Sequence, residues 1–212
     1  MGRISVLVIE VYEKIAAGEV VERPASIIKE LVENSIDAGA KNITVEVVGG
    51  GKKLISVSDD GDGMDRDDAA LCVERHATSK VKSASDLSGI KTMGFRGEAL
   101  AAISAVSRLE IATRRQQDTE GTKVAVDGGV KTVLPAGCPA GTTVTVKSLF
   151  YNTPARLKFM KSDVSEMAQV ARVVSALAVA YTAVSFRLRE GGREQINAKA
   201  GQDLKQRVFE VM

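Results

Sequence analysis

Glu30, Asn34 and Asp37 recur at four- and three-residue spacing, which on a helix brings their side chains within roughly 60° of one another. They lie beside an apolar arc of Ile27, Ile28, Leu31, Val32 and Ile36, at the edge of a core. A carboxylate and a carboxamide one turn apart divide two tasks: Glu30 orients and deprotonates a water, and the Asn34 side-chain oxygen ligates a hard cation. The same spacing also describes a polar helix edge with an ordinary ion pair.

A second cluster, Asp59-Asp60-Gly61-Asp62-Gly63-Met64, follows a strand-like stretch. Its glycines permit a sharp turn and a close backbone approach to a ligand. One fixed carboxylate there reads an exocyclic amine, and a plain turn has the same composition. A calcium loop does not fit, because the position that needs a bidentate glutamate holds Ala70 or Leu71. The third cluster pairs Arg75-His76-Ala77-Thr78-Ser79-Lys80 with Gly94-Phe95-Arg96-Gly97-Glu98-Ala99-Leu100. Hydroxyls, a cation and glycines opening a helix suit phosphate oxygens, since the first N–H groups of a helix are unpaired and partly positive. It is no P-loop: Gly51-Lys52 is followed by Lys53 and lacks the upstream glycine. His76 fits a structural role beside the loop better than catalysis.

The elements that position these clusters follow from period and punctuation. A helix runs from about Pro24 to Ile36, with proline in its first turn and Ala38-Gly39 closing it. Ile43, Val45 and Val47 alternate, Gly49 to Gly51 turn, and Leu54 to Ser58 returns as the second arm of a hairpin. Asp65 caps a helix through about Arg75. Thr78 to Gly97 is a long functional loop, and alanine-rich Glu98 to Val106 is a helix. Strands are expected at Arg108 to Thr113, Thr122 to Val126, Val130 to Leu134 and Thr143 to Lys147. A long helix from about Asp163 to Tyr181, strands at Ser185 to Arg189 and Glu194 to Ala198, and a helical start after Asp203 complete the chain. Together these elements make an α+β layer structure with a mixed, largely antiparallel sheet.

The 212 residues suffice for a substantial core. With 29 Lys and Arg against 27 Asp and Glu, the net charge of +2 makes no general field for DNA or an anionic membrane, so any nucleic-acid contact is local. Cys72 and Cys138 belong to no paired ligand motif, which argues against a disulfide framework and zinc. Val173 to Phe186 is shorter than the roughly 20 apolar residues that span a bilayer and reads as a buried helix running into a strand. No targeting segment is visible, and a cytosolic location is the default.

Taken together these spacings resemble the ATPase superfamily of gyrase, the large heat-shock chaperones, sensor histidine kinases and MutL, and MutL is the nearer match. The strings that carry it are Ile15 to Ser26, Lys29 to Gly39, Arg75 to Lys80, Gly94 to Leu100 and Leu149 to Arg156, in the family's order over nearly the whole chain. The resemblance implies the Bergerat ATP-binding fold, a two-layer α/β sandwich, in a Mg²⁺-dependent ATPase that acts as a slow switch of DNA mismatch repair. It implies that Glu30 is the general base and Asn34 the magnesium ligand, with Asp37 and Ala38 beside the nucleotide. Asp59 is implied to read adenine, Thr142 to support it through a water, and Gly63 to back the ring, with Gly61 and Met64 also binding the nucleotide. Thr78, Ser79, Lys80 and the segment Gly94, Phe95, Arg96, Gly97, Glu98, Ala99 and Leu100 are similar to the family's lid over the phosphates.

By the same resemblance, residues 1–200 form the ATPase domain, with a dimerisation segment at 1–20. Residues 201–212 begin a second, ribosomal S5-like transducer domain that contributes a lysine to the γ-phosphate and most of the DNA contact. Partners implied are a second copy or a MutL-family paralogue, a mismatch-sensor protein and mismatched DNA, without a membrane, in the bacterial cytoplasm or a eukaryotic nucleus. Val8 and Glu13 stand where the family often has a proline and an asparagine, and Gln116 to Leu134 matches none of its motifs. A competing reading makes this chain a nucleotide-binding interaction module without autonomous turnover. A histidine-kinase reading needs a phosphoacceptor histidine on a dimerisation helix, whereas the one histidine, His76, lies in the lid region.

Overall fold

The computed structural model describes residues 8, 17–18, 20–80 and 97–211. In chain order its elements are α1 (Pro24–Asp37), β1 (Asn42–Val48), a 3-10 turn (Gly49–Gly51), β2 (Leu54–Asp59), α2 (Arg66–Leu71) and α3 (Ala99–Ala105). Four strands follow, β3 (Arg108–Arg114), β4 (Gly121–Asp127), β5 (Val130–Ala136) and β6 (Gly141–Lys147). The chain closes with α4 (Pro154–Phe159), α5 (Asp163–Ala180), β7 (Ser185–Glu190), β8 (Arg193–Ala198) and α6 (Leu204–Val211).

The strands form one eight-stranded sheet in the order β5-β4-β3-β6-β2-β1-β7-β8. Every pairing is antiparallel except β1 with β7. Alternation decides the faces: Ile43, Val45 and Val47 of β1, Ile55 and Val57 of β2, Leu109 and Ile111 of β3, and Val144 and Val146 of β6 are all buried. The helices cover that face with Ile27, Ile28, Leu31 and Val32 of α1, Ile103 of α3, and Val170, Val174 and Ala178 of α5, in one continuous core. The opposite face carries short polar side chains, with Ser58 against Thr143 at 2.8 Å and Ser56 against Thr145 at 3.5 Å. The expected two-layer α/β sandwich with a mixed, mostly antiparallel sheet is what the chain forms.

Where the structure departs from the sequence reading, tertiary constraints are the reason. The helix capped by Asp65, whose carboxylate accepts from the Asp68 N–H at 2.9 Å, ends at Leu71 rather than near Arg75. Turns and a left-handed His76 (φ 62°) then lead to Lys80, whose side chain reaches α1. Helix α4 was not anticipated; Pro154 sits in its first turn, where the missing N–H costs nothing. Val173 to Phe186 does run from a helix into a strand, α5 into β7. Among the described residues, no helix is long and apolar enough to cross a membrane. Helix α6 packs on α5 and β8 through a buried Arg207, whose Nη2 donates to the carbonyls of Thr182, Val184 and Lys199 at 2.9, 3.0 and 2.6 Å.

The string Leu149 to Arg156 acts as a clamp away from the polar clusters. Phe150 is buried in a left-handed conformation (φ 63°), its N–H donates to the Val106 carbonyl at 2.7 Å, and Asn152 reaches the Ala105 carbonyl at 2.9 Å. Arg156 stacks 4.2 Å over the Phe150 ring and donates to the Val21 carbonyl. The end of α3 is thereby joined to the residues that lead into α1.

Candidate functional site

Helix α1 buries Ile27, Ile28, Leu31 and Val32, which leaves Glu30, Asn34 and Asp37 along a half-buried edge. It stops where the Ala38 N–H closes on the Asn34 carbonyl at 3.0 Å and Gly39 takes a left-handed conformation (φ 73°), the usual C-terminal use of glycine. The Ala38 carbonyl then accepts the Asp62 N–H at 2.9 Å, so the end of the helix holds the acidic loop in place.

That loop sorts its carboxylates. Asp60 Oδ1 accepts the N–H groups of Lys41 at 2.7 Å and Asn42 at 2.8 Å, and Oδ2 accepts the Asn42 amide at 2.6 Å. Burial works to raise the Asp60 carboxyl, but these bonds outweigh it and hold it below the ordinary range. Asp59 faces the interior: Oδ2 accepts the Ser35 hydroxyl at 2.7 Å, and Oδ1 accepts the Gly61 and Thr142 N–H groups at 2.9 and 3.3 Å. Burial pushes the Asp59 carboxyl up, against the pull of Ser35 and the two backbone donors. Gly63 is left-handed (φ 67°), and a Cβ there would lie 2.2 Å from the Arg114 carbonyl oxygen.

Asp59 belongs to a row. Strand register places Asp59 beside Thr142, Thr142 beside Thr113, and Thr113 beside Thr122, across β2, β6, β3 and β4. Thr113 is fully buried; its hydroxyl accepts the Met64 N–H at 2.9 Å, contacts the Gly141 carbonyl at 3.1 Å and meets the Thr142 hydroxyl at 2.9 Å. With the Thr113 proton on Gly141, Thr142 donates to Thr113 and keeps its lone pairs for a ligand.

At the other end, Lys80 Nζ donates to Asn34 Oδ1 at 2.9 Å and to Asp37 Oδ2 at 2.6 Å. Thr78 Oγ1 accepts the Lys80 N–H at 3.1 Å. Gly97 packs tightly on Ala77, for a Cβ on Gly97 (φ 62°) would lie 2.5 Å from the Ala77 carbonyl oxygen. His76 Nδ1 lies 3.6 Å from Glu98 Oε1 on the exposed side. Burial raises the Glu30 carboxyl, opposed by Lys29 and Lys80 and assisted by Glu33, so it is a stronger base than an exposed glutamate. Cys72 also lines this space, but burial pushes its thiol up to about 12, which leaves it un-ionised at neutral pH.

All this encloses one open cavity of about 900 Å³, at the upper end of ordinary ligand sites. Glu30, Asn34, Asp37 and Ala38 line it from α1, and Asp59, Gly63, Met64 and Thr142 from the sheet end. Thr78, Ser79 and Lys80, with Gly97, Glu98, Ala99 and Leu100, close another side. Gly61 stands behind this wall, tucked against the Ala38 carbonyl. Gly94, Phe95 and Arg96 lie outside the described residues. Ser35 and Thr113 were missed in the sequence reading. For Thr113 a signal was present: inner positions Ile55-Val57-Asp59, Leu109-Ile111-Thr113 and Val146-Val144-Thr142 each end an apolar alternation on a polar residue.

The donor chemistry fits a divalent cation and a polyphosphate. Asn34 and Asp37 present hard oxygens that already carry one cation, the Lys80 ammonium, as a stand-in. Val57, Val144 and Met64 line the far end as an apolar floor beside the Asp59 carboxylate, which suits a flat heterocycle with an exocyclic amine.

A helix-covered mixed sheet with such a cavity at one end is the architecture of one class of ATP-binding domains, and residues 22–131 match the family model described as histidine kinase-, DNA gyrase B-, and HSP90-like ATPase. The chain is 53% identical over its whole length to the DNA mismatch repair protein MutL of Anaeromyxobacter sp. (strain K), and 55% identical over 90% of its length to that of Heliobacterium modesticaldum. It spans 35% and 29% of those two proteins. Among solved structures, the Aquifex aeolicus MutL ATPase domain complexed with ADP superposes with a TM-score of 0.72 at 35% identity, covering 91% of this chain and 69% of that one. The N-terminal domain of a DNA repair protein gives 0.78 at 27% identity, covering 94% and 60%. The chain belongs to the histidine kinase-, DNA gyrase B- and HSP90-like ATPase family, in its MutL branch.

Proposed function

We propose that the cavity binds ATP with one magnesium ion, that the chain hydrolyses the nucleotide slowly, and that this serves as the switch of a DNA mismatch-repair protein. The observation that carries the reading is the division of labour along one cavity: a buried carboxylate over an apolar floor at one end, and at the other an acid, an amide and a second acid already engaged with a cation. Asp59 accepts the exocyclic N–H of adenine, Thr142 supports it through a water, and Gly63 lets the ring approach the backbone. Thr78, Ser79, Lys80 and the segment from Gly97 to Leu100 face the phosphates. Asn34, with Asp37 beside it, would hold the magnesium, which when bound neutralises charge on the phosphate oxygens. Glu30 orients a water in line with the γ-phosphorus. As the water oxygen bonds to phosphorus, Glu30 takes the proton, the bond to the β–γ bridging oxygen breaks, and ADP leaves with the electron pair.

On the same reading, nucleotide state governs self-association through residues 1–20 and the handover from a mismatch-sensor protein. DNA is contacted mainly by a second, transducer domain. The relative solved with ADP supports the choice of nucleotide. Calorimetric titration with an unhydrolysable ATP analogue tests the reading: saturable binding that strengthens with Mg²⁺ is expected, and no heat at any magnesium concentration would overturn it. Phosphate release should disappear in Glu30→Ala while the analogue still binds. Binding without release from the unsubstituted chain would leave a nucleotide-binding module in place of an enzyme.

A further inference from the structure

Glu30, Asn34 and Asp37 put two carboxylates and an amide on one edge of α1. The Asp37 side chain is only 9% exposed, and a carboxylate so placed is costly unless it is compensated. Lys80 compensates it: its Nζ lies 2.6 Å from Asp37 Oδ2 and 2.9 Å from Asn34 Oδ1, with its own side chain 20% exposed. Asn34 Oδ1 is also the atom that the proposed function assigns to magnesium. An ammonium at hydrogen-bond distance and a divalent ion at about 2.1 Å compete for the same oxygen, and a unit and a double positive charge that close repel strongly.

We propose that Lys80 is a placeholder cation: in the nucleotide-free chain it fills the metal position on Asn34 and Asp37, keeps divalent ions out, and moves to the phosphates when a nucleotide arrives, so that metal and nucleotide enter together. This rests on the ATP reading above. Lysine suits the task because its charge is compact, its three donors rotate and its stem is flexible. The Lys80 N–H held by Thr78 Oγ1 fixes the backbone while the stem remains able to swing. The arriving triphosphate offers Lys80 a replacement for the oxygens that it leaves, and the Asn34 amide oxygen is then exchanged from the ammonium to the metal ion. Metal and nucleotide each raise the other's affinity, and the coupling is reciprocal.

The test uses Mn²⁺ alone, with no nucleotide, titrated into the purified chain while free ion is read by electron paramagnetic resonance. Lys80→Met is expected to bind Mn²⁺ at least about 5-fold more tightly than the unsubstituted chain. Lys80→Arg, which keeps the charge, should stay as weak as the parent, and adding Asn34→Ala to Lys80→Met should remove the gain. Lys80→Gln supplies a second neutral variant if circular dichroism shows Lys80→Met to be misfolded. Unchanged or weaker Mn²⁺ binding in the neutral variant, or a gain that survives Asn34→Ala, overturns the placeholder. Absence of ATP binding by the unsubstituted chain would instead overturn the functional reading, since the Mn²⁺ titration involves no nucleotide.

Discussion

Of the two adjacent carboxylates that end the β1–β2 hairpin, Asp60 is spent on the Lys41 and Asn42 donors, and Asp59 alone is left facing the cavity. Burial raises the Asp59 carboxyl above its ordinary 3.8, so the folded chain binds that proton more readily than the unfolded chain. Stability therefore falls as pH rises from the unfolded value through the folded one, and the ionised group is a net cost at neutral pH. Asp59→Asn is expected to lower ATP affinity about 10- to 100-fold, the worth of a hydrogen bond to a charged group. It should leave the neutral-pH melting temperature unchanged or higher; a fall in stability with unchanged calorimetric affinity would refute the assignment. Glu30 is raised for the same first reason, burial. Turnover should accordingly fall as pH drops through a midpoint above the ordinary 4.5, whereas analogue binding should not share that midpoint; a profile flat through this range would remove Glu30 as the base. Glu30 and Asn34 on one helix edge, and an acidic loop after one strand, were legible in the sequence as local facts; the choice of Asp59 within that loop came from the family resemblance. The Lys80 contact was not legible, since it joins a loop to a helix across 46 residues of chain.

At the level of elements, four neighbouring strands turn polar at the same register row, and Asp59 and Thr142 of that row line the cavity. Each alternation was readable in its own strand. That β6 lies between β2 and β3, and so brings Thr113 against Thr142, was not, because periodicity says nothing of strand order. Helix α4 escaped for a related reason: six residues carry too little periodic signal, and the clamp motif runs into its first turn. Thr113→Val preserves shape but leaves the Met64 N–H without its acceptor. It should cost about 1–3 kcal/mol of unfolding free energy and weaken ATP about 10-fold, read by denaturant melts and calorimetry. A variant as stable as its parent, with equal affinity, would show the row to be incidental.

For the whole molecule, the sheet is tied at both flanks by side chains that reach backbone carbonyls. Arg156 fixes the approach to α1, and Arg207 anchors α6 to the turn before β7 and to the chain after β8. Arg207→Met should lower the unfolding free energy by about 2–4 kcal/mol, because three carbonyls lose a charged donor. Nucleotide affinity measured well below the melting point should change little; a large loss of affinity would mean that α6 shapes the cavity directly. The fold class and most elements were visible from the sequence because amphipathic period decides layers. The single parallel pairing, β1 with β7, was hidden in a connection of more than a hundred residues that local pattern does not report.

Strand β2 lies deep in the sheet, and Asp59 at its end is paired with Ile43 on one side and Thr142 on the other. The surroundings of this buried carboxylate are therefore assembled only after segments from far-apart stretches of chain have come together, a slow, non-local step. Ligand then recognises completed architecture rather than any early fragment. Supplied at a hundredfold excess over its dissociation constant, it would favour the finished state by about 2.7 kcal/mol, enough for nucleotide in the refolding buffer to act as a pharmacological chaperone for damaged variants.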